Sequence, residues 1–477
     1  MTSKKTRKKK FFWILGGLLI LILVGFSFAG KWLTSSGYDY SEMSWTEAFE
    51  TLHTSTSQEY PFTEWKAIDW DSLYARTAPR IAQAETENDP EAYYLALREY
   101  VFAFHDGHAQ LGGPDFGLRE EAIAGGYGLS IVGLDDGRVI AGILLENGPA
   151  ARAGMAWGAE ILSWNDIPIE EALSQSSTIW AEFPPATAEA QRLEQYHYLT
   201  RDPVGTEVSI TFRNSGDDTP QTIRLTAEAD QLETLNADLP AEKDLKAMFL
   251  APIQYETLPD GYGYMKITGF MPTLGGLNPA GIADRAIEAF IEADVHGIII
   301  DVRGNGGGLD ALVPQIVGHF YSEPGFYEYV SCRSENGEFR IDPEQTLTIE
   351  PRSPHFSGPV VVLVDKYTGS TAEGIPLAIQ PLPQGYVVGI YGTNGSFAVG
   401  NPGDNLYRLP EGLGLNFLGC RSLNEDQVIQ VDSDAEGIGG VEPDIRVPLT
   451  EDSVHAMYVE GIDIVLEAAF EALEGLE

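Results

Sequence analysis

Two short, wholly apolar runs constrain this chain most. Gly297-Ile-Ile-Ile300 and Val360 to Val364 are each followed at once by a polar, glycine-bearing loop. A strand with one wet face alternates polar and apolar residues, whereas a run without alternation needs cover on both faces, as in a parallel sheet between helices. Tyr386 to Ile390 is a third such run. Helical patterns separate them. Asn278-Pro279 supplies a cap and a first helical residue, with Ala283, Ala286, Ile287 and Phe290 at helical spacing behind it, and Ala372 to Gln380 is a second apolar helix. Near the C-terminus Ile462, Val465, Leu466, Ala469, Phe470 and Leu473 mark one stripe of an amphipathic helix.

Upstream, two other textures appear. Residues 41–112 read as helical, rich in Glu, Ala and Leu, as in Asp89 to Phe104, and end in His105-Asp106-Gly107-His108. Residues 125–230 alternate in short stretches (Gly128 to Val132, Val139 to Leu145, Val208 to Phe212) between Gly, Asp and Asn turns, which predicts strands, with a helix over Ala186 to Leu199. Residues 231–250 read as a polar connector, and 251–477 as the α/β unit described first.

The 477 residues carry 71 Asp and Glu against 30 Lys and Arg, a net charge of −41, which excludes nucleic acid as an expected partner because phosphate binding needs clustered cations. Hydrophobic residues at 43% are too many for a disordered acidic chain. Six of the basic residues are Lys4, Lys5, Arg7, Lys8, Lys9 and Lys10, so residues 1–10 form a basic tail. Phe11 to Gly30 has no charge and is long enough to cross a bilayer as a helix. Positive residues stay cytoplasmic, so a single-pass anchor would deliver residues 31–477 outside the membrane. The run exceeds the length of signal h-regions, which favours an uncleaved anchor; secretion after cleavage near Ala29 is the alternative. Cys332 and Cys420 are too few for a cysteine zinc site, and an oxidising compartment would permit them to pair.

Two strand ends carry possible chemistry. Gly304-Asn-Gly-Gly-Gly308 exposes backbone N–H groups that can stabilise an oxyanion; no lysine directly follows the glycines, so it is not a phosphate loop. In Thr368-Gly-Ser-Thr-Ala-Glu373, Ser370 and Glu373 have the spacing of a helix capping box, and the same turn can hold a nucleophilic serine with the Thr371 N–H beside it. A serine needs a base, and the histidine cluster at 105–108 offers one. A metal site there lacks a third ligand at recognisable spacing, and neither a metal nor a cofactor is expected.

Ile298 to Gly308 (IIIDVRGNGGG), Val361 to Glu373 (VVLVDKYTGSTAE) and Gly440 to Val447 (GVEPDIRV) together resemble the S41 family of serine peptidases, the tail-specific and tricorn-core proteases. Residues 125–230 resemble the PDZ domain carried before their catalytic half: Gly126, Tyr127, Gly128 and Leu129 match its peptide-carboxylate loop. Gly148-Pro-Ala-Ala-Arg-Ala-Gly154 and Ile161-Leu-Ser-Trp-Asn165 match the next segments of that domain. Ile68-Asp-Trp-Asp71 and Asp106-Gly-His108 resemble the N-terminal cap. The resemblance implies an α+β multidomain chain, with a helical cap, a PDZ-like β domain and a ClpP/crotonase-like α/β core whose sheet is mostly parallel.

It also implies a mechanism. The tail-specific branch uses a Ser-Lys dyad, but the corresponding turn, Tyr391 to Ser396, holds no lysine, and none occurs after Lys366. The tricorn-like branch uses a cap histidine and a downstream Glu, which here implies Ser370 as nucleophile, His108 as base and Glu436 as the orienting acid, with Asp434 or Glu442 as alternatives. Gly306, Gly307 and Thr371 would form the oxyanion hole. The chain is thus expected to be a membrane-anchored extracytoplasmic serine endopeptidase acting on peptides or unfolded proteins. The missing lysine motivates the alternative of a proteolytically inactive, peptide-binding scaffold; a carrier of apolar ligands, like the retinoid-carrying S41-like repeats, is a third.

Overall fold

Helical residues follow directly from their caps at the start of the folded body. A computed structural model describes residues 37–236, 248, 250–273, 275–334, 336–400 and 405–475; the basic tail and the apolar run 11–30 lie outside it. Among the described residues no helix is long and apolar enough to cross a membrane. Helix α1 (Trp45–Glu59) is capped by Ser44, α2 (Trp70–Glu87) by Asp69, and α3 (Pro90–Phe102) by Asp89, each side chain accepting an amide of the first turn. Asn88 ends α2 in the left-handed conformation, which gives a tight reversal into α3.

These helices do not close a core alone. Their buried faces (Phe49, Leu52, Leu97, Tyr100) share one cluster with Tyr407, Leu409, Leu415 and Phe417, from more than 300 residues downstream. Tyr38–Asp39, Leu406–Arg408, Gly414–Asn416 and Gln110–Gly112 form a four-stranded sheet that stitches the two regions together. The boundary expected at residue 112 therefore does not enclose the cap. The signal was invisible because each strand is only two or three residues long.

Five strands come next: β1 (Leu129–Gly133), β2 (Val139–Leu144), β3 (Glu160–Trp164), then, after helix α4 (Ala188–Leu199), β4 (Glu207–Arg213) and β5 (Gln221–Thr226). They form an antiparallel sheet ordered β5-β4-β3-β2-β1, so β1 is an edge strand, with α4 packed beside it. Thr187 caps α4 by accepting the Ala190 amide, which starts the helix two residues later than its composition suggests.

The third unit is built on β6 (Ile253–Thr257), β7 (Gly263–Ile267), β8 (Ile298–Asp301), β9 (Gly325–Arg333), β10 (Val360–Leu363), β11 (Gly385–Gly389), β12 (Cys420–Leu423) and β13 (Ile445–Arg446). The main sheet runs β6-β7-β8-β10-β11-β13; only β6 is antiparallel to its neighbour. Helices α5 (Pro279–Glu292) and α6 (Gly374–Ile379) cover one face and α7 (Ile464–Glu474) the other. Ile298 to Ile300 and Val360 to Leu363 are all fully buried, which accounts for their lack of alternation. Asn278 caps α5 through the Ala280 amide. Two ends differ from expectation. Residues 370–373 are a 3-10 turn that precedes α6, and α7 starts at Ile464 because Asp463 caps it.

Strands β9 and β12 pair in a second, antiparallel sheet, and Cys332 on β9 is joined to Cys420 on β12 by a disulfide spanning 88 residues. Closing so long a loop removes much of the unfolded chain's freedom. Replacing both cysteines by alanine should lower unfolding free energy by about 2–4 kcal/mol; urea melts in the presence and absence of reductant should show the loss in the wild type only when reduced, and no reductant dependence in the variant.

Candidate functional site

The parallel strands β8 and β10 end side by side, so the loops after them must cross the same edge of the sheet. Asp365, half-buried just past β10, accepts the Gly304 amide (3.0 Å), the Tyr367 amide (3.0 Å) and the Thr368 hydroxyl (3.1 Å). Asn305 continues the seam: its carbonyl accepts the Gly369 amide (2.9 Å), and its side-chain oxygen accepts the Gly307 amide (2.9 Å). The seam delivers Ser370 to the sheet edge with φ of 54°, a left-handed conformation that costs free energy in a residue with a Cβ.

Only half of the expected capping box exists. Glu373 reaches back to accept the Ser370 amide (3.1 Å), but the Ser370 side chain caps nothing, and its hydroxyl has no partner among the described residues. Glu373 is fully buried and also accepts the Thr393 hydroxyl (2.6 Å), the Gly395 amide (2.7 Å) and the Ser396 amide (3.1 Å). Burial pushes its pKa up to about 8 against the pull of these donors. The Ser396 carbonyl in turn accepts the Ser370 amide (3.0 Å). One carboxyl group thereby fixes both the serine turn and the turn at residues 391–396.

The glycine loop packs directly on the serine. A Cβ at Gly307 would lie 2.7 Å from the Ser370 Cβ and 2.9 Å from the Thr371 nitrogen, and φ there is 101°, so no side chain fits. The Gly307 amide, expected in the oxyanion hole, is committed to Asn305 instead. Gly306 is exposed, and its amide has no partner among the described residues. Thr371 is the second residue of the 3-10 turn, and its hydroxyl donates to Gly308 O (3.0 Å) and Asp310 Oδ1 (2.6 Å).

His108 arrives from the cap. The Gly107 amide donates to Ser396 Oγ (3.1 Å), and a Cβ on Gly107 would meet that same oxygen at 2.8 Å, so the histidine loop lies against the turn bonded to Ser370. The structure thus brings the two segments together across the fold, although no hydrogen bond joins His108 to Ser370. Burial holds the imidazole below its usual pKa, opposed by the charges of Asp106 and Asp310. Its Nδ1 is buried without a hydrogen bond, 3.8 Å from Asp106 Oδ1. Asp106 is itself held by the His108 amide (2.8 Å) and the Tyr60 hydroxyl (2.8 Å). His105 serves elsewhere: its carbonyl accepts Lys66 Nζ (3.1 Å).

Glu436 does not reach the imidazole. It is exposed in a turn where its amide donates to Asp434 Oδ1 (3.0 Å), and Asp434 also accepts the Ile438 amide (2.9 Å). Glu442 is exposed as well. The carboxylates whose charge is felt at His108 are Asp106 and Asp310. Lys66 is a further residue that sequence patterning did not single out. Its ammonium is buried, donates to Ser433 O and Ser433 Oγ (both 2.8 Å), and stands 2.8 Å from Asp432 Oδ1 in a charge contact outside hydrogen-bond alignment. Nothing in its sequence neighbourhood marks it. Asp106 and Asp310, by contrast, adjoin motifs already noticed.

In the antiparallel unit, Gly126 is paired on both sides, with Arg201 and with Glu228. The Tyr127 and Gly128 carbonyls accept the Ala150 (3.0 Å) and Leu145 (2.9 Å) amides, and Leu129 is buried at the start of β1. A cavity of about 450 Å³ opens between this unit and the α/β unit, lined by Ile131 and Val132 of β1, Leu193 and Tyr196 of α4, and Lys366 and Tyr391 opposite. Glu194 of α4 stands 3.4 Å from Lys366, on the loop that leads to Ser370.

Comparison with known proteins supplies context for this geometry. Residues 261–447 match Peptidase family S41. The chain is 23% identical over 348 residues to the carboxy-terminal processing protease CtpB of Bacillus subtilis strain 168; the match covers 68% of this chain but only 63% of that protein. Among solved structures, mature CPAF complexed with lactacystin superposes with a TM-score of 0.60 at 14% identity, covering 91% of this chain and 99% of the other. Mature CPAF alone gives 0.59 at 16% identity, over 91% and 98%. At these identities the superpositions establish a shared fold.

The raised pKa of Glu373 has a sign that can be tested. The folded protein binds a proton that the unfolded chain releases, so this contribution favours folding at pH below about 4.5 and is lost as pH rises through about 8. Unfolding free energy measured between pH 5 and 8 should fall with pH, and Glu373→Gln should flatten that slope.

Proposed function

Because residues 261–447 belong to peptidase family S41, a family of serine-type peptidases, we propose that the chain cleaves peptide bonds with Ser370 as nucleophile and His108 as general base. The observation that carries this reading is the incomplete capping box. A serine whose only task was to start a helix would spend its hydroxyl on an amide of the first turn. Here Glu373 takes over that end of the turn, while Ser370 keeps a free hydroxyl in a strained conformation against a glycine loop.

In the proposed reaction Ser370 Oγ bonds to the scissile carbonyl carbon as its proton passes to His108. The Thr371 and Gly306 amides face the oxygen that becomes anionic. His108 then returns the proton to the departing amine, and water hydrolyses the acyl-enzyme with the same base. Nδ1 lies toward Asp106, which leaves Nε2 for the serine proton. A base must be neutral to accept a proton, and burial, by lowering the His108 pKa, keeps it so at neutral pH.

The groove between the edge strand β1 and α4 suits an extended peptide that adds to the sheet edge, as in PDZ recognition, and the Glu194–Lys366 pair would connect that groove to the serine loop. The basic tail and apolar run imply an anchor that places the enzyme outside the cytoplasmic membrane, a compartment compatible with the Cys332–Cys420 disulfide. A second reading, a peptide-binding scaffold without proteolysis, draws on the unpartnered His108 Nδ1.

Fluorophosphonate labelling separates them. The wild type should be modified at Ser370 and Ser370→Ala should be neither labelled nor active on a casein digest; an unlabelled wild type supports the scaffold. His108→Ala should slow acylation by about 100- to 10,000-fold, and the acid limb of kcat/KM should lie below pH 6.5, the ordinary histidine value.

A further inference from the structure

The imidazole of His108 has no tether at its buried nitrogen. Nδ1 makes no hydrogen bond, and Asp106 Oδ1 stands 3.8 Å away, beyond hydrogen-bond length. The ring therefore takes its position from the backbone of residues 105–108, which is fastened to the α/β unit at two points. At the first, Lys66 donates to His105 O (3.1 Å) and to Ser433 O (2.8 Å), and the Ser433 amide donates to Gly395 O (3.0 Å). At the second, the Gly107 amide, next to His108 itself, donates to Ser396 Oγ (3.1 Å). Both anchors end on the same turn.

Ser396 holds three partners at once. Its amide donates to Glu373 Oε2 (3.1 Å), its carbonyl accepts the Ser370 amide (3.0 Å), and its hydroxyl accepts the Gly107 amide. The residue is buried, and Gly107 N has no other acceptor among the described residues. Two hydrogen bonds and one residue thus separate the backbone of the nucleophile from that of the histidine loop. The contact is also tight. A Cβ on Gly107 would lie 2.8 Å from Ser396 Oγ and 3.0 Å from Asn394 Oδ1, so the loop sits directly on the turn with no slack between them.

We propose that Ser396 is a positioning residue of the reaction, its hydroxyl setting the approach of His108 to Ser370. The inference rests on Ser370 and His108 being the nucleophile and the base. The two tasks of Ser396 are separable. Alanine at this position keeps the backbone bonds to Glu373 and Ser370 and removes only the acceptor of Gly107. A half-buried amide left without an acceptor shifts until water satisfies it, and the histidine loop shifts with it, while the Ser370 turn stays in place. The Lys66 anchor and the shared core of the cap remain, so the variant keeps its fold. Misplacing a base penalises proton transfer rather than substrate binding.

Ser396→Ala should slow both fluorophosphonate labelling of Ser370 and kcat for peptide cleavage by about 10- to 100-fold, with KM within a few-fold of wild type and the circular dichroism spectrum unchanged. The deciding measurement is a double-mutant cycle. If Ser396 acts through His108, adding Ser396→Ala to His108→Ala should change the labelling rate by no more than about twofold. An equal loss in both backgrounds would place the effect on the Ser370 turn and overturn the proposal, as would a Ser396→Ala variant labelled at the wild-type rate. Hydrogen exchange supplies an arm that needs no activity: the segment containing Gly107 should exchange faster in Ser396→Ala than in the wild type. That difference in a wild type that is not labelled would refute the peptidase reading while sustaining the contact of the two loops. Equal exchange in the two proteins would refute the contact whatever the activity.

Discussion

The buried carboxyl group of Glu373 is the interaction on which the rest of the site depends. Four donors converge on it from two loops distant in sequence: Ser370 from the end of β10, and Thr393, Gly395 and Ser396 from beyond β11. Leaving any of those buried amides without an acceptor would cost about 1–3 kcal/mol. The left-handed backbone at Ser370 is held by this network rather than by local preference, and the freedom of the serine hydroxyl results from it.

A second constraint acts at longer range. The cap enters the site only because its core is completed by residues 406–417 and because Lys66 is bound by Asp432 and Ser433 at the edge of the α/β unit. Cap and core are therefore one folding problem, although they stand at opposite ends of the sequence. Asp106 and His105 both lie on this seam, held by Tyr60 and Lys66. The position of His108 is set by contacts made on either side of it rather than by the imidazole itself.

How much of this could be read from residues alone depended on the range of each interaction. Unbroken apolar runs such as Ile298 to Ile300 identified the covered sheet, and Asn278-Pro279 marked a helix start, because those signals are local. The nucleophile turn and glycine loop were legible for the same reason. Glu436 was chosen by proximity to a motif, but its turn is closed by Asp434 and faces water. The short strands that complete the cap, the buried Lys66 and the charge of Asp310 beside Thr371 arise from residues distant in sequence, and no window of periodicity contains them. The Gly307 amide was misassigned at finer scale, since Asn305 occupies it only once the loop has folded back on itself.

The geometry of Gly395 bears on how such a site changes over generations. Its backbone is left-handed, with φ of 73°, and a Cβ there would lie 2.5 Å from Thr187 Cγ2, at the start of α4. The space a side chain at this position would need is thus taken by another part of the chain, while the cap histidine loop lies against the same turn through Ser396. Placing a lysine in this turn is therefore not a single substitution but a coordinated one. Room for any side chain at Gly395 would have to be made at the helix start as well as in the turn.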